Sequence, residues 1–122
     1  MSVDAGHVVS DLDRYLDRVL PISGALYVLG PDEVYLAGDD LHWRHGKRIR
    51  LRDERAEDVA RTIQRFVPAL GGGPVGWVLD ATVRGKITRS PDAGAVAFLS
   101  EIEEVDLRDD WLTARMRLRD VR

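Results

Sequence analysis

ALYVLGPDEVYLA, residues 25–37, is the stretch on which the architecture turns. Ala25–Leu29 and Val34–Ala37 are short apolar runs, and Gly30-Pro31-Asp32-Glu33 between them is good turn chemistry. Runs joined this tightly pair antiparallel, because a parallel pair needs a long crossover. Gly38-Asp39-Asp40 makes the next turn. Leu41–Arg44 and Lys47–Arg52 then read as a second hairpin around His45-Gly46, where the glycine supplies a positive φ. In Lys47–Arg52, Ile49 and Leu51 alternate with Arg48, Arg50 and Arg52, so one face is apolar and the other cationic.

Helices flank this meander. Val8, Leu12, Tyr15, Leu16 and Val19 form one apolar stripe, which predicts a helix over about 8–20. Asp4 or Ser10 supplies its cap, and Pro21 stops it. A second helix is expected over about 54–70, with Ala56, Val59, Ala60, Ile63, Phe66, Val67 and Leu70 as its stripe. Asp53 caps it, Glu57 and Arg61 form an i, i+4 pair, and Gly71-Gly72-Gly73 ends it. A strand over Val75–Val83 follows, then a turn at Arg84-Gly85 into Lys86–Arg89. Residues 90–100 read as a loop running into a strand. The end is a hairpin, Ile102–Leu107 and Trp111–Val121, turning at Arg108-Asp109-Asp110. The expected fold is a single α+β domain spanning residues 1–122. Its largely antiparallel sheet has about six to eight short strands in meanders and hairpins, with two main helices packed on one face.

The chain has 122 residues, 44% hydrophobic and 32% charged, which fits one domain with one core. No apolar run approaches the roughly 18–20 residues of a membrane span. The start, Met1-Ser2-Val3-Asp4, does not read as a signal peptide. Without cysteine there is no disulfide, thiolate nucleophile or Cys-ligated metal, and without asparagine no N-glycosylation acceptor. A cytoplasmic location is the expectation. The net charge of −3 is unevenly spread: −6 over residues 1–40, +6 over 41–90 and −3 over 91–122. Such a division lets a basic middle pair with acidic ends, or present a patch to an anionic partner.

Motifs for catalysis or cofactors are weak. Gly71-Gly72-Gly73-Pro74-Val75-Gly76 spells a dinucleotide fingerprint, but it follows a helix and precedes a strand, the reverse of what pyrophosphate binding needs. His42 and His45 form H-x-x-H near Asp39 and Asp40, yet on a strand that spacing sends the imidazoles to opposite faces. No serine sits in a nucleophile elbow. The paired acids Asp39-Asp40, Glu103-Glu104 and Asp109-Asp110 read as solvated, and Asp80, flanked by Leu79 and Ala81, is expected to be buried. No catalytic residue, metal site or cofactor is assigned.

Two arginine ladders are the most informative pattern: Arg48, Arg50 and Arg52 on one strand face, and Arg115, Arg117 and Arg119 on another. Trp43 and Trp111 stand at the openings of their hairpins. Planar guanidinium groups suit carboxylates and phosphates, so these eight residues are the candidate partner- or anion-binding set. The plainer alternative is cross-strand ion pairing, since Glu104 and Asp106 alternate on the strand beside the terminal ladder. The acidic balance and the absence of a zinc-finger, RRM or KH signature speak against nucleic acid. The functional expectation is a non-catalytic binding module, an accessory, regulatory or inhibitor-type protein of the immunity or antitoxin kind. It acts through a protein partner, and a homodimer is compatible with it. The rival is a small-ligand domain or minor enzyme, its pocket between sheet and first helix lined by Tyr15, Tyr27, Tyr35 and Trp77.

Overall fold

The computed structural model describes residues 2–30, 33–52, 57–58, 61, 77–90, 95–109 and 112–117. Among them the elements run β1 (Val3–Asp4), α1 (Ala5–Ser10), α2 (Leu12–Tyr15), β2 (Val19–Gly30), β3 (Glu33–Ala37), α3 (Asp40–Arg44), β4 (Arg48–Leu51), β5 (Trp77–Arg89), β6 (Ala97–Asp109) and β7 (Leu112–Arg117). Mixed helix and strand is therefore right, with strands dominant and the helices short.

The sheet is not open. β2 pairs antiparallel with β3 on one side and with β5 on the other. β3 pairs with β4, β4 runs parallel to β6, and β6 pairs antiparallel with β5. The circuit β2-β3-β4-β6-β5 closes into a five-stranded barrel, with β1 and β7 attached outside it. Counted from β2, the order is first, second, third, fifth, fourth, the Greek-key arrangement of OB-type barrels. Closure removes most of the edges that an open sheet would have to protect.

Strand alternation fills the interior. Leu26 and Val28 from β2, Val34 and Leu36 from β3, Ile49 from β4, and Val83, Leu99 and Val105 from β5 and β6 are all fully buried. They pack as one cluster, which α1 plugs with Ala5 and Val8. The expected open sheet with two main helices packed on one face is thus corrected to a closed barrel around its own core.

The first predicted helix is shorter and broken. Asp4 does cap it, its Oδ1 accepting from the Gly6 amide at 2.8 Å. Asp11 interrupts it at φ −139° and Asp17 takes a left-handed φ of 62°. The chain is then captured by β5: Asp17 N–H donates to the Ile87 carbonyl at 2.7 Å, and Ile87 N–H donates to Arg18 at 3.2 Å. These bonds start β2 at Val19, before the proline. Pro21 lies inside that strand, at a position where β2 pairs with β5 alone. Its missing N–H therefore removes no ladder bond on the other side.

The second predicted hairpin is half helix. Asp39 caps α3 by accepting from the His42 amide at 2.7 Å, so residues 41–44 coil rather than extend. Gly46 does take the expected positive φ, 72°, but as a helix stop. Its N–H donates to Trp43 and that of Lys47 to His42, the paired bonds of a Schellman closure. Gly85 is not a turn either. It lies within β5 opposite a bulge in β6, where a Cβ would sit 2.8 Å from the Ser100 carbonyl oxygen. Close approach, not chain reversal, is why glycine stands there.

Both expected hairpins are antiparallel pairs, but their strands run further: Gly30 pairs with Glu33, and Arg108 and Asp109, expected to turn, pair with Thr113 and Leu112. Residue 97 opens a strand. Most of the 54–70 helix and all of the 71–76 glycine motif lie outside the described residues. Glu57, Asp58 and Arg61 are helical, with the expected Glu57–Arg61 ion pair formed.

Candidate functional site

The two ladders occupy different surroundings. β4 and β7 follow one another along the same side of β6. In the β6–β7 register Arg115 stands opposite Asp106 and Arg117 opposite Glu104. That placement is the one cross-strand ion pairing requires. Arg119 and Trp111 lie outside the described residues. On β4 the neighbours carry no carboxylate: Arg50 faces Tyr35 on one side and Phe98 on the other, and Arg48 faces Ala37. Among the described residues Arg48 and Arg52 make no ion pair. Ion pairs that join basic middle to acidic ends include Arg84 with Glu103 at 3.2 Å, Lys86 with Glu101 at 3.9 Å, and Arg89 with Asp13.

What holds the β4 arginines is aromatic. Alternation turns Tyr27, Tyr35 and Ala37 to the outside of the barrel, where they form a second small cluster with Ala25, Leu29 and Trp43. Because α3 is a helix, Trp43 folds back over this surface and stacks on Tyr27, with ring centroids 4.1 Å apart and planes 5° from parallel. The Tyr35 ring meets Trp43 edge-on at 5.4 Å. With Tyr27 on one face of the indole, the Arg48 guanidinium covers the other, 3.9 Å from the ring centroid. Arg48 and Arg50 also lie 5.5 and 5.8 Å from the Tyr35 ring, and Arg52 lies 5.6 Å from Phe98. Such contacts each contribute about 0.5–1 kcal/mol at exposed sites and hold the guanidinium planes in place.

These aromatics are shelves rather than stacking platforms. Tyr27 and Tyr35 are only 5% and 8% exposed, and both faces of Trp43 are taken. The arginines are outermost: Arg48 and Arg50 are half-buried and Arg52 is exposed. Arg44 and Lys47 are exposed nearby, and residues 41–52 contain no acid at all. The Nε of Arg48 is buried without a hydrogen-bond partner.

At the start of α3, His42 Nδ1 lies 2.8 Å from the same Asp39 oxygen that caps the helix. The spacing is close enough for attraction, although the imidazole nitrogen is not in hydrogen-bond alignment. The His42 backbone N–H holds the Asp39 carboxyl below its ordinary value of 3.8, and the nearby imidazole lowers it further. His45 is the residue at the helix end, so the H-x-x-H pair is split between helix body and cap. Among the described residues no three His, Cys, Asp or Glu side chains gather around a common point.

Asp80 is exposed, correcting its expected burial. It turns outward between the inward-facing Leu79 and Ala81 and borders an open cleft of about 510 Å³ shared with Asp4, Asp39, Ser23 and Thr82. The tyrosines of the rival pocket do not converge. Tyr15 packs on the barrel core from α2, whereas Tyr27 and Tyr35 belong to the outer cluster. The Trp77 side chain lies outside the described residues.

The tyrosine shelf was missed in the sequence, although the signal was there. Tyr27 and Tyr35 share the alternation parity of Ala25, Ala37, Arg48 and Arg50 once the hairpin register is set. No family model, curated protein or solved structure matches this chain. Among the described residues no helix is long and apolar enough to cross a membrane.

Proposed function

We propose that the protein is a non-catalytic binding module of the accessory, regulatory or inhibitor type, docking a protein partner's acidic surface on the outer face of β3 and β4. The Tyr27–Trp43–Arg48 stack carries this reading. Flexible surface arginines lose much of an ion pair's benefit to side-chain ordering. Arginines already laid on aromatic rings have less freedom left to lose, and their planar edges match carboxylates in pairs. Among the described residues Arg48 and Arg52 make no ion pair, which supports their meeting a partner's carboxylates.

The barrel type adds an analogy, since the second and third strands of OB-type barrels often form a ligand face. Single-stranded nucleic acid, a frequent occupant of such faces, needs open aromatic rings on which bases stack. Here those rings are covered.

The test is a tagged pull-down from the native host at low and moderate salt, run with the wild type and an Arg48→Glu/Arg52→Glu variant. A stoichiometric protein that weakens with salt and is lost from the folded variant supports the proposal. A partner retained equally by both overturns the choice of face.

A further inference from the structure

We infer that the acidic surface docked by this face is borne by a second copy of the chain, the Arg48 of each copy entering the Asp80 cleft of the other. This rests on the binding-module reading and names its partner. The strand registers place Asp80 of β5 opposite Ala25 of β2, Ala25 opposite Ala37 of β3, and Ala37 opposite Arg48 of β4. One cross-strand row on the outside of the barrel therefore starts in a carboxylate and ends in a guanidinium, with two alanines between. Asp80 is exposed and Arg48 half-buried, and among the described residues neither makes an ion pair.

The two ends of this row differ in relief. Trp43 lies on Tyr27 and Arg48 lies on Trp43, so the basic end rises as a ridge. The acidic end is the open cleft of about 510 Å³, lined by Gly24, Ala25 and Gly38, whose side chains are too small to fill it. Asp4 and Asp39 border it with Asp80 and add negative charge. Val78, the next outward residue of β5, is 51% exposed and stands opposite Tyr27, beneath the ridge. A surface that carries a ridge and a cleft of opposite charge is complementary to itself under a twofold rotation. Each Arg48 then meets the other copy's Asp80, and the two contacts form together. The aromatic shelf holds the guanidinium before contact, which lowers the ordering cost of both.

Sedimentation velocity of the full chain, at stepped protein and salt concentrations, tests this. The wild type is expected to dimerise and to dissociate as salt rises. Asp80→Lys and Arg48→Glu each set like charges together at both contacts, and each should weaken the dimer about a hundredfold with an unchanged circular dichroism spectrum. The milder Asp80→Asn and Arg48→Gln should each weaken it about tenfold. Mixing Asp80→Lys with Arg48→Glu, or combining both in one chain, restores opposite charges and should restore the dimer. A charge-reversed variant that dimerises like the wild type overturns the inference. So does a loss without rescue on mixing, which assigns Asp80 to Arg108, its neighbour across β6, instead of to a second copy. A wild type that stays monomeric at about 0.1 mM overturns it as well. If that monomer still captures a salt-sensitive host protein, the binding-module reading stands; if it captures nothing, both fall.

Discussion

The Arg48 guanidinium lies 3.9 Å from the centroid of the Trp43 indole, on the face opposite Tyr27. A five-residue helix thus joins the barrel's outer surface to its most basic strand through one side chain. Trp43 anchors α3 below and shelves Arg48 above.

Trp43→Ala removes both contacts. The half-buried indole's loss is expected to lower unfolding free energy by about 2–4 kcal/mol. Trp43→Phe keeps a ring in the stack and costs less than about 1.5 kcal/mol. Urea unfolding measures both, and the near-ultraviolet circular dichroism of the Tyr27–Trp43 pair should vanish in the alanine variant. Equal stability of wild type and Trp43→Ala would remove the stack from the account of this surface.

The two faces of β4 predict opposite outcomes from adjacent positions. Ile49 is fully buried in the barrel, so Ile49→Ala should cost about 2–5 kcal/mol. Arg50 points outward, and Arg50→Ala should cost about 1 kcal/mol or less while weakening capture of an acidic partner. Parallel urea titrations and pull-downs separate the two roles. A larger stability loss at Arg50 than at Ile49 would reverse the assigned faces.

That alternation was fully legible in the sequence, because a period of two depends only on neighbours along the strand. The pairing of the 25–37 hairpin and of the last two strands was legible for the same local reason, although the turn expected at Arg108-Asp109-Asp110 was not, since Arg108 and Asp109 continue the ladder. Closure was not. It depends on Val19–Val28 of β2 meeting Trp77–Lys86 of β5, a pairing between segments far apart in the chain that leaves no local mark. Pro21 misled because a helix stop and a one-sided strand position tolerate proline alike. Leu41 and Trp43 misled because their spacing of two imitates a strand until Asp39 is recognised as a cap. The arginines of the candidate site were legible by type and spacing. Their shelf was not, since it needs the β2–β3–β4 register and a helix at Trp43.

Two glycines should respond differently to one added methyl. At Gly24 an added Cβ falls 2.4 Å from the Ala37 carbonyl oxygen and 3.2 Å from the Ala5 Cβ, between backbone and the plugging helix. Gly24→Ala is expected to cost about 1–3 kcal/mol through overpacking. At Gly46 nothing lies within 4 Å of the added atom, and the cost arises from its φ of 72°. Gly46→Ala should lose about 1 kcal/mol, and Gly46→Asn should recover part of it because asparagine tolerates the left-handed region. Thermal midpoints decide this. Recovery by Gly24→Asn as well would show that the first site is strained by conformation rather than by contact.

The cap of α3 should make the stack sensitive to acid. The His42 amide bond to Asp39 holds the carboxyl below its ordinary 3.8, with the adjacent imidazole adding to the effect. A group whose folded value is depressed adds stability that is fully present above the unfolded value and is lost as pH falls through the folded one. The contribution is therefore complete at neutral pH and disappears on the acid side of about 4. Asp39→Asn keeps a capping side chain but removes the charge, so its stability deficit relative to wild type should shrink as pH is lowered through that window. Urea midpoints of the two proteins at stepped pH values check the sign. A deficit that stays constant from neutral to strongly acidic pH would mean the charge of Asp39 plays no part in holding α3, and with it Trp43, against the barrel.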